Sequence, residues 1–314
     1  MNIQQLQYIV AVDEHRHFQK AADACFITPA TLSMMIKKLE QELNLIIFDR
    51  SKHPISPTDL GIPIIEKAKT ILYHIKDLEH SAQYSTEEIA GEVRIAIIPT
   101  LAPYLSYLFL PSLLKKYPKL KIKLYEWNTE QITDALKHNR LDIGIAATPL
   151  HISEITETPI FYEKLVAYTE EISSTLPKTY IAPEDINLKR LWLLEEDHCL
   201  RSQVINLCSL KKKHEENLQI DFEAGSIETL LNIVGINEGI TIIPELVVHT
   251  LTEQRKKKIR QFTDPAPVRE ISLLTYRYYS KEKILEVLRE EIQNAIKPHL
   301  TSTTTPTKII EITN

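Results

Sequence analysis

The chain has 314 residues, 43% of them hydrophobic, and a net charge of -5, enough for two or three soluble globular domains and not the balance that advertises a polyanion partner. Six glycines leave no room for a glycine-rich phosphate loop, three cysteines do not make a secreted disulfide framework, and no apolar run approaches the roughly 20 residues needed to cross a bilayer. No basic start followed by an apolar stretch marks a signal peptide, so a helix-rich cytoplasmic protein is expected, its turns leaning on Asn, Asp and Pro.

At the N-terminus Leu6, Ile9 and Val10 fall at helical spacing over 3–13, and 18–24 reads as a short second helix. Thr28 is a good N-cap and Pro29 suits the first position of a third helix, in which Leu32, Ile36, Leu39 and Leu43 form one stripe. Small Ala21 and Ala22 permit close approach, which predicts a helix-turn-helix whose last helix enters the DNA major groove. Residues 48–58, punctuated by Pro54 and Pro57, supply the hairpin wing. On the DNA-facing side, Met34 offers an apolar contact for a thymine methyl and Ser33 one for a base edge, while Lys37, Lys38 and Arg50 suit phosphates. Thr28, Pro29 and Thr31 at the helix start complete this predicted set.

The boundaries read from the pattern are 1–58 for the DNA-binding domain and 59–88 for a linker helix. In the linker Ile64, Ala68, Ile71, Ile75, Leu78 and Ala82 step by 4, 3, 4, 3 and 4, the rhythm of a coiled-coil seam, although a lone amphipathic helix gives the same pattern. Pro63 requires that the helix start after Gly61 or bend in its first turn.

Beyond Gly91 strand and helix alternate. Strands are predicted at 93–98, 120–127, 141–146, 165–168, 191–194, 220–223, 240–243 and 271–276, with helices at 104–117, 131–139, after Cys199, at 226–235 and at 282–296. The order implies an α/β region with a mainly parallel sheet, in two lobes: 89–164 with 268–300, the last strand and helix returning to lobe I, and 165–267 as lobe II. The Thr-rich segment 301–314 reads as a disordered tail.

Cys199 and Cys208 stand nine residues apart. If the intervening segment is helical their Cα atoms lie about 13 Å apart, and a disulfide needs them within about 7 Å. Joining them therefore requires local unfolding. Cys199, at a helix start beside His198 and near Arg201, has neighbours that favour a thiolate, and Cys208 has none. Two inert buried thiols remain the plain alternative. Cys25 reads as a small core residue, and His15, His17 and His53 lack a trustworthy metal spacing.

The order of domains resembles the LysR-type transcriptional regulators: a winged helix-turn-helix, a linker helix and a two-lobed effector domain like a periplasmic binding protein. Glu14-His15-Arg16-His17-Phe18, Ile98-Pro99-Thr100, Pro103-Tyr104-Leu105 and His198-Cys199-Leu200-Arg201 with Cys208 narrow the likeness to the peroxide-sensing members of that family. The resemblance implies that hydrogen peroxide oxidises Cys199, that Cys208 resolves the product as a disulfide, and that Thr100, Thr129, His198 and Arg269 form the peroxide pocket. It also implies a homotetramer on double-stranded DNA, activation through RNA polymerase, resetting by glutaredoxin or thioredoxin, and neither a metal nor a cofactor. An enzyme is not expected.

Two departures from those members bear on sensitivity. Asp197 stands where Gly is common, and adds a carboxylate that opposes thiolate formation; Ser202 stands where Asp is usual, leaving Arg201 freer. The DNA-reading helix has Thr28-Pro29-Ala30 and Met34-Met35 in place of a glutamine-bearing segment, so the operator is expected to differ. The competing readings are a family member that binds a small organic effector between the lobes, its cysteines incidental, and more distantly a thiol peroxidase.

Overall fold

The computed structural model describes residues 1–52, 54–83, 89–169, 180–183, 186, 190–208, 223–235, 239–279, 281–300, 309, 310 and 312. His53, the end of the linker segment, most of the strand expected at 220–223 and most of the tail at 301–314 lie outside them. The chain divides into two compact units, Met1–Glu88 and Ile89–Asn314.

The first unit opens with α1 (Ile3–His15), whose N-terminal amides are met by a reciprocal Asn2/Gln5 capping box. Helix α2 (Phe18–Ala24) buries Ala21 and Ala22 completely, and α3 (Pro29–Leu43) buries Leu32, Ile36 and Leu39. Thr28 caps α3 by accepting from the Thr31 N–H at 3.2 Å, and Pro29 takes the first helical position, where its missing N–H costs nothing. Strands β1 (Phe48–Asp49) and β2 (Ser56–Pro57) pair antiparallel as the wing.

The next helix, α4 (Gly61–Gln83), opens with the Thr58 hydroxyl accepting from the Gly61 N–H at 2.9 Å, and its first residue must be glycine because a Cβ there would lie 2.1 Å from the Ile47 carbonyl oxygen. Pro63 sits in its first turn, where it breaks no hydrogen bond. Ile65 and Ala68 bury against the same core as α1 and α3, and Lys69 pairs with Asp13 of α1 at 2.9 Å. Farther along, Ile71 and Leu78 of the expected seam are 41% and 70% exposed. The periodic stripe thus divides: Ile64 and Ala68 serve the unit's own core, Ile75 is half-buried, and Ile71 and Leu78 are exposed.

In the second unit β3 (Gly91–Ile97), β4 (Leu120–Glu126) and β5 (Ile143–Thr148) pair in parallel, connected through α5 (Ala102–Lys116) and α6 (Thr129–Lys137). The mainly parallel expectation fails beyond them. Strand β6 (Ile155–Thr169) and β10 (Val268–Tyr276) run antiparallel to each other, β10 is antiparallel to β5, and β8 (Ile240–Pro244) and β9 (Ile259–Phe262) are antiparallel to β6. The short β7 (Tyr180–Ile181) returns to parallel pairing on β9. The cause is β6 itself: 15 residues long, about 50 Å at the usual rise, it serves both halves of the unit and needs no crossover helix to do so.

Two apolar cores follow. Ile155, Ile160 and Phe161 of β6 join the core of β3, β5, β10 and α11 (Glu282–Ile296), whereas Leu165 to Tyr168 join the core of β8, α7 (Cys199–Leu207) and α8 (Ile227–Val234). The lobes therefore meet along β6 between Phe161 and Leu165. Leu191 and Leu194, expected as a strand, make only isolated bridges to Ile240 and Ala224. The C-terminus also differs from expectation. Ile309 bridges Val268 in parallel, Ile310 is buried in the second core, and the buried Gln203 of α7 donates to the Ile310 carbonyl at 3.2 Å.

Candidate functional site

Strands β3 and β4 end at neighbouring points of the sheet, and the residues that follow them approach α7. Thr100 lies just after β3 and is buried. Thr129 is the first residue of α6, behind the N-cap Asn128. Crevices beyond the carboxyl ends of parallel strands are where α/β sheets bind ligands. Helix α7 begins at the half-buried Cys199, with His198 in extended conformation as a cap that offers no side-chain hydrogen bond.

The Cys199 Sγ lies 2.7 Å from the Thr129 hydroxyl. Arg269, fully buried on β10, donates from Nη1 to the Thr100 hydroxyl at 3.1 Å and from Nη2 to the Thr100 carbonyl at 3.3 Å. Burial pushes the Cys199 thiol above its ordinary range; the Thr129 hydroxyl and the Arg269 guanidinium pull the other way, and Asp197 adds to the rise. Groups that favour the anion and groups that oppose it thus meet at this sulfur, and burial outweighs the rest. Thr100, Thr129, His198, Cys199 and Arg269 thus share one locality, with His198 buried and its Nε2 3.8 Å from Asp197.

Arg201 does not take the part expected of it. Its guanidinium donates to the Leu194 carbonyl at 2.7 Å and pairs with Glu223 at 2.8 Å, so it is engaged by partners of its own. The cation acting on Cys199 is Arg269, a residue distant in sequence. The extra carboxylate of Asp197 opposes the thiolate as expected, and one of its oxygens is held by the Asn128 amide at 3.1 Å.

Cys208 is the residue that caps the end of α7, not a residue inside it. It packs against the second lobe's core, while Cys199 packs against the first. Burial pushes its thiol up to about 11. The two are free cysteines, held about 13 Å apart by the helix between them. Cys25 is half-buried against the core of the first unit. Among the described residues Glu195, Asp197 and His198 bring ligand atoms within 4.8 Å of one another, but two of the three are exposed carboxylates, which alone do not make a metal centre.

Several residues of the site went unread in the sequence. Glu163 of β6 pairs with Arg269 at 2.6 Å, and alternation with buried Phe161 and Leu165 on the same strand is the signal that could have found it. Tyr104 packs against both cores, and burial pushes its hydroxyl up to about 12.

On the DNA-binding unit, Thr28, Thr31, Lys37 and Lys38 are exposed, Met34 is 63% exposed, and Pro29 and Ser33 are half-buried. Arg50 is engaged internally: it donates to Ser33 at 3.1 Å, pairs with Glu40 at 3.0 Å and lies over the Phe18 ring. Glu40 in turn accepts from the Ile47 and Phe48 amides, which ties the wing to α3. Phe26, in the turn before α3, is 95% exposed at a φ of 56°; nothing in the sequence pattern marked it.

Residues 3–62 match the family described as bacterial regulatory helix-turn-helix protein, lysR family, and residues 86–297 match the LysR substrate binding domain. A hydrogen peroxide-inducible genes activator of Haemophilus influenzae is 34% identical over 303 residues, covering 94% of this chain and 99% of that protein. The DNA-binding transcriptional dual regulator OxyR of Escherichia coli K12 is 32% identical over 300 residues, with 96% of each chain covered. A full-length OxyR variant from Pseudomonas aeruginosa superimposes with a TM-score of 0.70 at 28% identity, over 93% of this chain and 98% of that one. With both family domains matched in order along the chain, the protein belongs to the LysR family, whose members are DNA-binding transcriptional regulators and not enzymes.

Proposed function

We propose that this regulator senses hydrogen peroxide at Cys199 and activates transcription when Cys199 and Cys208 become joined. The observation that carries the reading is the placing of the two sulfurs: one end of α7 holds Cys199 2.7 Å from the Thr129 hydroxyl, and the other end holds Cys208 in a different core. In the first step the Cys199 sulfur attacks one peroxide oxygen, the O–O bond breaks, and the second oxygen leaves as water after taking a proton. In the second, the Cys208 sulfur attacks the sulfenic acid at Cys199, forming the S–S bond and releasing a second water. Thr100, Thr129, His198 and Arg269 hold peroxide and donate to the leaving oxygen. The likeness to peroxide-inducible activators supports this assignment.

The regulator acts in the cytoplasm as a homotetramer on double-stranded DNA, assembled in part through α4, where Ile71 and Leu78 lie exposed. It contacts DNA through Thr28, Pro29, Thr31, Ser33, Met34, Lys37, Lys38 and Arg50, recruits RNA polymerase, and is reset by glutaredoxin or thioredoxin. Peptide mass spectrometry of the peroxide-treated full-length chain tests the reading. A Cys199–Cys208 linked peptide is expected, and its absence across the peroxide range that oxidises the protein rejects it. Retention of full induction by Cys199→Ser would instead favour a regulator of the same family that responds to a small organic effector.

A further inference from the structure

Glu163 and Arg269 face each other across β6 and β10 as paired residues of the antiparallel ladder. Both side chains are fully buried, and the Arg269 Nε and Nη2 lie 2.7 and 2.6 Å from one Glu163 carboxylate oxygen. The other oxygen accepts from the Leu246 N–H at 3.2 Å. The pair stands where β6 passes from one core to the other. Arg269 has its remaining contacts to Thr100, and the positive charge at Cys199 comes from this same guanidinium.

We propose that Glu163 is a positioning residue of the thiol site that acts through Arg269: held against the guanidinium, it cancels part of the charge that Arg269 presents toward Cys199 and so restrains ionisation of that thiol. The proposal rests on the reading of Cys199 as the sensing thiol. Its physical basis is that an unpaired buried cation acts at full strength in a low-dielectric interior, whereas a cation in contact with a carboxylate acts as a dipole whose field falls off faster with distance. A buried charge pair also fixes geometry, because neither partner can leave the other without stranding it. Among the described residues the charged or titratable groups facing Cys199 are Arg269 from β10 and Asp197 and His198 from the turn before α7, with Tyr104 of α5 coupled to Arg269. Those facing Glu163 are Arg269 and Glu245. Burial pushes the Glu163 carboxyl above its ordinary range, with Glu245 adding to the rise, and the contacts to Arg269 and the Leu246 N–H offset only part of it.

The test is the pH dependence of Cys199 alkylation by iodoacetamide in reduced full-length protein carrying Cys25→Ser and Cys208→Ser, so that one thiol is read. Glu163→Gln keeps the side-chain size and removes the charge; it is expected to lower the pH midpoint by about one unit, roughly a tenfold gain in thiolate below the midpoint. Arg269→Gln is expected to move the midpoint the opposite way. A purely structural role for Glu163 predicts no such opposed pair of shifts. An unchanged or raised midpoint in folded Glu163→Gln overturns the proposal. If that variant does not fold, Glu163→Asp is read in its place: the shorter carboxylate draws back from Arg269, the midpoint still falls, and a midpoint that holds or rises overturns the proposal. Disulfide formation under peroxide is measured separately on the chain with its native cysteines. Loss of the disulfide with the midpoint shifts intact refutes peroxide sensing alone, and a normal disulfide without the shifts refutes the role of Glu163 alone.

Discussion

At the scale of single residues, the thiol site works through opposed effects, of which burial is the largest. Burial raises Cys199, and one hydroxyl and one guanidinium lower it. A hydrogen bond donated to an anion contributes about 1.5–3 kcal/mol, so the Thr129 contact is large enough to decide the rate of attack. Thr129→Val is therefore expected to slow formation of the Cys199 sulfenic acid about tenfold or more, read by stopped-flow trapping in a Cys208→Ser background; an unchanged rate removes Thr129 from the site. Cys199, Cys208 and His198 are singled out by a string that resembles the peroxide-sensing members of the family, and Thr100 and Thr129 by that resemblance alone, since a threonine after a strand otherwise reads as a cap. Nearness in sequence does not place Arg201 beside the thiol, because a helix turns side chains through about 100° per residue. Glu163 escaped because a carboxylate within a strand reads as solvent-facing until the strand is known to be covered on both sides.

At the scale of elements, periodicity identified α1, α3 and α11 closely, since each has one buried face and one wet face. It failed for β6, whose 15 residues change from one core to another and so show no single alternation. The C-terminal segment was unreadable for a related reason: Ile309, Ile310 and Ile312 are too short a run to outweigh the Thr-rich stretch before them. Yet Ile310 packs in the second core and receives a hydrogen bond from α7. Ile310→Ala is expected to cost about 2–4 kcal/mol, read as a lower midpoint in urea unfolding of the reduced chain, and a loss under about 0.5 kcal/mol would return the segment to the class of exposed substitutions. On α3, Lys37 is exposed and has no role in the core. Lys37→Ala is expected to weaken binding evenly across DNA sequences and to reduce the slope of log affinity against log salt by about one; a change confined to one base position would mark Lys37 as a base reader.

At the scale of the whole molecule, a net charge of -5 gives little long-range attraction to DNA, so recognition relies on the shaped surface of the first unit. In the second unit the two cysteines stand at opposite ends of one short helix, Cys199 as its first residue and Cys208 as its cap, each packed against a different core. Because packed cores are bistable and do not deform smoothly, a bond that the resting geometry forbids must be accommodated by a discrete rearrangement. The domain order was legible along the sequence since each domain has its own texture: capped helices, then a heptad-like stripe, then alternating strand and helix. How the strands pair was not, because antiparallel return through β6 and β10 depends on contacts more than 100 residues apart in sequence.

Hydrogen–deuterium exchange across residues 199–208 tests the switch most directly, comparing the reduced chain with the form whose Cys199–Cys208 bond has been verified by mass. The account predicts that the amides of α7, protected in the reduced state, lose that protection on oxidation. A verified disulfide with α7 protection unchanged would contradict it.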